Sequence, residues 1–393
     1  MSTTKYLIVG GGLTADAACK GIRDFDRSGA ITVVGEETYE PYARPPLSKA
    51  LWKGDDETTV WRNTTDLEVE LRLGRTIETL DLEARRATDS QGETYSYERL
   101  LLATGGRPRR LPFGGDEVIY YRTLDDYRRL RALADANARF LVIGGGFIGS
   151  EIAAALTMNG RSVTMVFPEP GIGARIFPAE LSWSVTDLYR TEGVEVLAGA
   201  SVTSIERDGN KLRAATGDGR MIEANAVVAG LGIEPREELA AGAGLPVADG
   251  IVVDERGRVG GREDVFAAGD VARFPVAALG GTMRVEHEDH AKSHGRLVGA
   301  NMAGADERYD HLPFFYSDLF DLGYEAVGQL DSRLETIADW RDPGRKGIVY
   351  YLDDARRPRG VLLWNLFGHV DAARDLIRAG EPVERGALLE PVA

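Results

Sequence analysis

Three glycines and an acid carry the most specific chemistry in this sequence. Gly144, Gly146 and Gly149 stand in the spacing G-x-G-x-x-G. That spacing serves a tight turn, a close backbone approach to a pyrophosphate, and a helix–strand contact. Glu169 follows about twenty residues later, where a carboxylate meets an adenosine ribose 2′-hydroxyl. A second set opens the chain: Gly10, Gly12 and Ala15, with Glu36 closing the next strand. Alanine is allowed at the third position. The chain therefore carries two nucleotide sites. They lie too far apart in sequence to be halves of one site, and two different cofactors are the economical reading. The bland alternative is a glycine-rich loop that binds nothing; the strand, helix and acid around the central set count against it.

The elements that position these residues are legible from period and punctuation. Phe140–Ile143 is an apolar run short enough for a buried parallel strand. Ser150–Met158 continues as an Ala-rich helix, Asn159-Gly160 stops it, and Ser162–Phe167 is the next strand. Lys5–Val9, Asp16–Phe25 and Ile31–Val34 repeat this strand, helix and strand. Leu67–Leu71 and Thr94–Leu102 read as further strands. Two strands run into glycine turns, one per nucleotide unit: Leu100–Pro108 with Thr104 and Gly105, and Val227–Pro235 with Gly232. There a backbone can approach a ligand closely. Val265–Asp270 is a third, and Asp270 at its tip suits the hydroxyls of a polyol, the alternative being a helix N-cap. A helix beginning at Arg284–His290 and running to about Met302 offers its N-terminal N–H groups to an anionic ring edge.

In Tyr39–Lys49 the tandem prolines forbid helix or central strand. Ser48 then caps a helix with Lys49 in its first turn. A cation there opposes the helix dipole, so Lys49 has another task, such as pairing with an anion. A rigid surface turn with solvent-facing Arg44 and Lys49 is the competing reading. From Leu312 the pattern changes to short strands at Phe314–Asp318, Val327–Leu330, Thr336–Trp340, Gly347–Tyr351 and Gly360–Trp364, followed by a helix over Val370–Ala379. This predicts an antiparallel sheet with a helix, a third domain of α+β type.

Composition bounds the partners. The 393 residues carry a net charge of −15, which argues against nucleic acid as a bulk partner. No apolar run reaches a membrane span. The first strand leaves no room for a signal peptide, so a cytoplasmic location is expected. Arg107, Arg109, Arg110, Arg122, Arg128, Arg129 and Arg131 cluster in one stretch. They form either a solvated helix face with Asp125 and Asp126 as partners, or a local positive patch. The single cysteine, Cys19, removes disulfides, CxxC redox pairs and thiolate zinc sites together.

The two glycine units, Leu102-Ala-Thr-Gly-Gly-Arg-Pro108, Phe266-Ala-Ala-Gly-Asp270 and the small C-terminal domain resemble the two-dinucleotide-binding flavoproteins that include glutathione reductase. Tyr42-Ala-Arg-Pro-Pro-Leu-Ser-Lys49 is similar to a loop of oxygenase-coupled ferredoxin reductases and of apoptosis-inducing factor. The disulfide-reducing relatives carry redox cysteines in this region. Val285–Ala291, Phe167-Pro-Glu169, Tyr316–Leu319 and Gly323–Ala326 tilt the resemblance toward the apoptosis-inducing-factor branch, which carries tryptophan where Tyr316 stands.

The resemblance implies an α/β fold of two Rossmann-like domains plus a C-terminal α+β domain. The FAD domain (1–112 and 245–311) is interrupted by the NAD domain (113–244), and the C-terminal domain spans 312–393. Gly10, Gly12 and Ala15 hold the FAD pyrophosphate, Glu36 its ribose and Asp270 its ribityl chain. Arg44, Lys49, Thr104, Gly105, Glu286, His287 and Tyr316 border the flavin. Gly144, Gly146, Phe147, Ile148, Gly149, Glu169 and Gly232 hold NADH. Lys49 and Glu151 are the implied catalytic pair, an ion pair that tunes the flavin and positions the nicotinamide.

The implied reaction is hydride transfer from NADH to flavin N5. Electrons then pass to a ferredoxin or Rieske protein, quinone or oxygen. Glu169 favours NADH, because a 2′-phosphate would put two anions in contact unless Arg161 or Arg175 compensated. The alternative is a redox-gated protein like apoptosis-inducing factor, in which a long-lived charge-transfer complex recruits a partner, with an NADH-dependent homodimer. A thiol-dependent reductase fails because Cys19 lies on the wrong segment.

Overall fold

The computed structural model describes residues 2–136 and 139–384. The chain divides into two compact units. One comprises 1–43, 57–107 and 234–313, the other 44–56, 108–233 and 314–393. Among the described residues no helix is long and apolar enough to cross a membrane.

In the first unit, β-branched runs make a parallel sheet. Glu70–Leu73, Ile31–Gly35, Ser2–Val9, Thr94–Leu102 and Val265–Ala267 lie side by side in that order. The hairpin Ile77–Asp81 and Arg86–Asp89 adds antiparallel strands to the start of Thr94–Leu102. The helix Leu13–Phe25 packs against the helix Glu288–Met302. Glycine sets how close they come: a Cβ on Gly21 would meet Arg296 O at 1.9 Å, and one on Gly299 would meet Ala18 O at 2.1 Å. Two backbones thus touch directly, and Tyr6, Ile8, Cys19, Ile22, Phe266 and Val298 fill the core beneath.

In the second unit, Glu195–Ala198, Ser162–Phe167, Arg139–Ile143, Ala226–Ala229 and Val118–Tyr120 form an all-parallel sheet. Its strands are apolar because both faces are covered. The helix Phe147–Met158 returns the chain from Arg139–Ile143 to Ser162–Phe167. A five-stranded antiparallel sheet runs Phe314–Leu319, Leu322–Gly328, Pro358–Trp364, Lys346–Leu352, Glu335–Asp342, and the helix Val370–Ala379 packs on it.

Several local expectations shift. Ser48 caps no helix: Pro45–Ser48 and Ala50–Trp52 are two separate 3-10 turns, with Lys49 at φ −130°, ψ −93° between them. Proline opens the first turn, and the Lys49 backbone leaves helical geometry before the second begins. The segment 67–71 is strand only from Glu70. Thr64–Leu67 is a 3-10 turn bracketed by left-handed Asn63 and Glu68, and Arg23 binds the carbonyls of Leu67 and Glu68. The helix expected from Arg284 starts at Glu288 with His287 at the N-cap, because Arg284 reaches Glu286 and Asp249 instead. The strand placed at Val327–Leu330 is Leu322–Gly328, ended by Gly328 at φ +76°.

Candidate functional site

The two glycine loops differ from ordinary turns in where they are crowded and where they are open. A Cβ on Gly10 would meet Ala103 O at 2.1 Å, whereas nothing lies within 4 Å of one on Gly12. The central loop repeats this. Gly144, at φ +113°, would meet Gly230 O at 2.3 Å, Gly149 would meet Gly144 O at 2.0 Å, and Gly146 faces open space. The first and third positions are thus filled by the protein's own backbone, and the middle one is left clear at a helix N-terminus. That is the cradle a pyrophosphate needs. Ala15 is fully buried at the third position of the first loop. The residues present fit a dinucleotide in each unit.

The acids beyond the loops both carry arginines. In the second unit Glu169 Oε1 accepts from Arg175 Nε at 2.9 Å and Nη2 at 2.6 Å, and Arg175 is 84% exposed. In the first unit Glu36 pairs with Arg236. Thr104 Oγ1 donates to Arg236 O at 2.7 Å, and Gly105, at φ +65°, accepts from Arg236 N. Gly232 has φ +82° and open space at its Cα.

Asp270 sits in the short 3-10 turn Gly269–Val271. Arg284 holds Glu286 at 2.8 Å and donates to the Asp270 carbonyl at 3.2 Å, so one guanidinium organises both expected flavin-side residues. His287 caps the helix Glu288–Met302, and desolvation pushes its imidazole down to about 4. In the same unit the buried Cys19 thiol is pushed up to about 12 by desolvation, so it forms no thiolate at neutral pH.

The second unit buries an ion pair in its interior. Glu151, in the second turn of the helix Phe147–Met158, is 4% exposed. Lys49 Nζ lies 2.8 Å from its Oε2. Ser48 donates to the same oxygen at 2.6 Å, and Ser317 donates to Oε1 at 2.6 Å. Burial first, and then the Glu151 charge, push the phenols of Tyr189 and Tyr324 well up, so no second anion forms beside the carboxylate. Tyr316, 38% exposed, presents its ring 5.3 Å from Lys49 Nζ, a cation–π distance. Arg44 Nη1 donates to Arg122 O at 2.8 Å.

Phe147 begins the central helix, 38% exposed, edge-on to Phe315 at 5.3 Å. Ile148 is partly buried behind it. The sequence marks Ser48 only as a helix cap and does not single out Ser317. Ser317 lies in the quoted Tyr316–Leu319 run, where strand alternation puts it on the face opposite its neighbours Tyr316 and Asp318.

Pyridine nucleotide-disulphide oxidoreductases match residues 4–295. The chain belongs to this family. Residues 298–344 match a second family, the mitochondrion-associated C-terminal domain of apoptosis-inducing factor. Apoptosis-inducing factor 1 of Dictyostelium discoideum is 33% identical, over 97% of this chain and 79% of its own length. The ferredoxin–NAD(+) reductase component of the anthranilate 1,2-dioxygenase system of Burkholderia cepacia is 34% identical, over 100% of this chain and 98% of its own. The covalent putidaredoxin reductase–putidaredoxin complex superposes with a TM-score of 0.91 at 30% identity, covering 98% of this chain and 95% of that one.

As a member of this family the chain is an FAD-dependent oxidoreductase that uses a nicotinamide nucleotide. Its fold is the expected pair of dinucleotide-binding units with a C-terminal α+β domain.

The arginine run is largely spoken for by its own surroundings. Arg107 pairs with Glu234 and Glu238. Arg128 pairs with Asp125, and Arg131 with Asp135. Asp126 instead closes a capping box with Thr123. Three of the seven, Arg128, Arg129 and Arg131, lie on the helix Leu124–Asp135, where the solvated-face reading applies.

Proposed function

We propose that this protein is an NADH-dependent reductase that passes electrons from bound FAD to a small ferredoxin-type or Rieske iron–sulfur protein. The observation that carries this reading is the segment Pro45–Lys49: it holds no thiol, and its lysine is paired with a buried carboxylate at 2.8 Å. With Cys19 buried as a thiol, electrons leave the flavin by no disulfide. The relatives named for ferredoxin and putidaredoxin reduction support the acceptor class.

FAD supplies the two-electron chemistry when bound. Gly10, Gly12, Ala15 and Glu36 hold it, with Asp270 at the ribityl chain and Arg44, Thr104, Gly105, Glu286, His287 and Tyr316 toward the ring. Gly144, Gly146, Phe147, Ile148, Gly149, Glu169 and Gly232 hold NADH. Glu151 fixes the Lys49 ammonium, and Lys49 orients the nicotinamide and stabilises charge at the reacting rings. The helix Glu288–Met302 offers its N-terminal N–H groups to negative charge on the ring. We divide the chain into an FAD domain (1–112 and 245–311), an NAD domain (113–244) and a C-terminal domain (312–393), and place the protein in the cytoplasm.

The test is reconstitution. The purified yellow protein is mixed with NADH, cytochrome c, and a two-iron ferredoxin. Cytochrome reduction that needs the ferredoxin and falls steeply with salt supports the reading; equal rates without it refute it. A second reading, a redox-gated partner-recruiting protein, is favoured by the match of residues 298–344 to the apoptosis-inducing-factor C-terminal family. Slow reoxidation in air, with dimerisation on adding NADH, would select it.

A further inference from the structure

Glu151 is held by more than Lys49. Three donors from two distant segments converge on its carboxylate: Ser48 at 2.6 Å and Lys49 at 2.8 Å on Oε2, and Ser317 at 2.6 Å on Oε1. Ser48 is 6% exposed, Ser317 1% and Glu151 4%. Bonds this short to a charged acceptor are the strong kind. The two serines approach opposite oxygens, which fixes the rotation of the carboxylate plane about its last torsion. That torsion is otherwise broad and roughly two-fold. A carboxylate free to turn would offer Lys49 either oxygen, and the ammonium would follow it.

The backbone supports the same arrangement. Ser48 ends one 3-10 turn and Lys49 sits in the break before the next. One residue thus grips the carboxylate from the turn while its neighbour supplies the cation. Ser317 is central in the edge strand Phe314–Leu319, paired with Tyr324 of the next strand. Tyr189 donates its hydroxyl to Ser150 O, anchoring the helix turn that carries Glu151.

We propose that Ser48 and Ser317 are positioning residues for the NADH reaction: they lock the Glu151 carboxylate so that it holds the Lys49 ammonium in one place. This rests on the reading that Lys49 acts at the reacting rings. The serines touch neither cofactor in that reading; they work through Glu151. Alanine keeps nearly the same shape but leaves Glu151 one donor short, at some cost in stability; what each variant removes specifically is the fixed placing of the cation.

The experiment uses the FAD-bound full chain as wild type, Ser48→Ala, Ser317→Ala, Lys49→Ala, Glu151→Gln, and each serine variant combined with Glu151→Gln. Two readouts are taken: the anaerobic stopped-flow rate of flavin bleaching by NADH, and the visible spectrum of the bound flavin without NADH. Each serine variant is expected to slow bleaching ~10-fold, the scale for supporting partners of a site group, with NADH affinity unchanged. Each is also expected to move the flavin spectrum in the direction Lys49→Ala moves it. In the Glu151→Gln background the serine changes are expected to add less than twofold, roughly, because the locked charge is already gone. A purely structural serine would slow both backgrounds alike, and that result overturns the proposal. If Lys49→Ala alters rate and spectrum while both serine variants match wild type, the lock fails and the reading of Lys49 stands. If Lys49→Ala matches wild type, both fall.

Discussion

Lys49 and Glu151 meet at 2.8 Å in the interior of the second unit, with Lys49 only 12% exposed and Glu151 3% at their side chains. The pair joins the proline-rich turn to the central helix. Its geometry removes the oddity of a cation expected in the first turn of a helix, because no such helix forms there and the lysine turns inward to a carboxylate rather than out to solvent.

Glu151→Ala should therefore be costly. It leaves Lys49 and two serine hydroxyls without their acceptor, and breaking a buried pair from one side costs about 3–5 kcal/mol. Urea unfolding of the FAD-bound protein measures this. A loss below about 1 kcal/mol, the scale of an exposed pair, would show that water replaces the carboxylate.

Gly146 and Gly149 should separate binding from folding. Gly146→Ala puts a methyl into open space at φ −87°, so the protein should fold normally, keep its FAD, and bind NADH ~10-fold more weakly. Gly149→Ala drives a methyl to 2.0 Å from Gly144 O and should destabilise the fold by about 1–3 kcal/mol. Thermal melting and NADH titration on both variants check the contrast; equal melting temperatures would contradict it.

Coenzyme choice should follow the Glu169–Arg175 pair. Glu169→Ala removes the carboxylate and frees the exposed guanidinium for a 2′-phosphate. NADPH kcat/KM should rise and NADH kcat/KM should fall by ~10-fold, about 1.4 kcal/mol. Arg175→Ala should act oppositely and sharpen the preference for NADH. FAD content should not change in either, and steady-state kinetics with both nucleotides give the ratio.

Acid stability should depend on His294. It is fully buried beside Phe274, His290 and Tyr309, and desolvation pushes its imidazole down to about 3. His290, whose Nδ1 bonds Tyr309, is pushed down by burial too, and then by the neighbouring histidines. An unfolded histidine takes a proton below about pH 6.5, while His294 stays neutral in the folded state until about 3. The unfolded state thus binds more protons in that window. Stability is full above the upper value and declines as pH falls toward the lower. Urea unfolding at pH 7.5 and 5 should show a shallower decline for His294→Leu than for wild type; parallel curves would count against it.

Much of this was readable in the chain. The glycine spacing, the flanking strands and the acids beyond them announced two dinucleotide units, because local turn geometry and phosphate contact need those residues at those steps. The helix Val370–Ala379 was legible to its ends. What local pattern could not reveal were the contacts between remote segments. Arg284 takes Glu286 and Asp249, so the helix expected from Arg284 starts only at Glu288. Arg23 holds the carbonyls of Leu67 and Glu68, so a β-like run became a turn. Ser48 looked like a cap because serine before a helix usually is one; the acceptor that claimed it lies on another element.

The sequence by itself determined where the two glycine loops lie and which strands and helices carry them, since those follow from spacing and from the periods of strand and helix. Only the tertiary structure decided that Ser48, Lys49 and Ser317 converge on one carboxylate. A buried charge must gather every donor it needs from wherever the fold brings them, and no short-range pattern records that meeting.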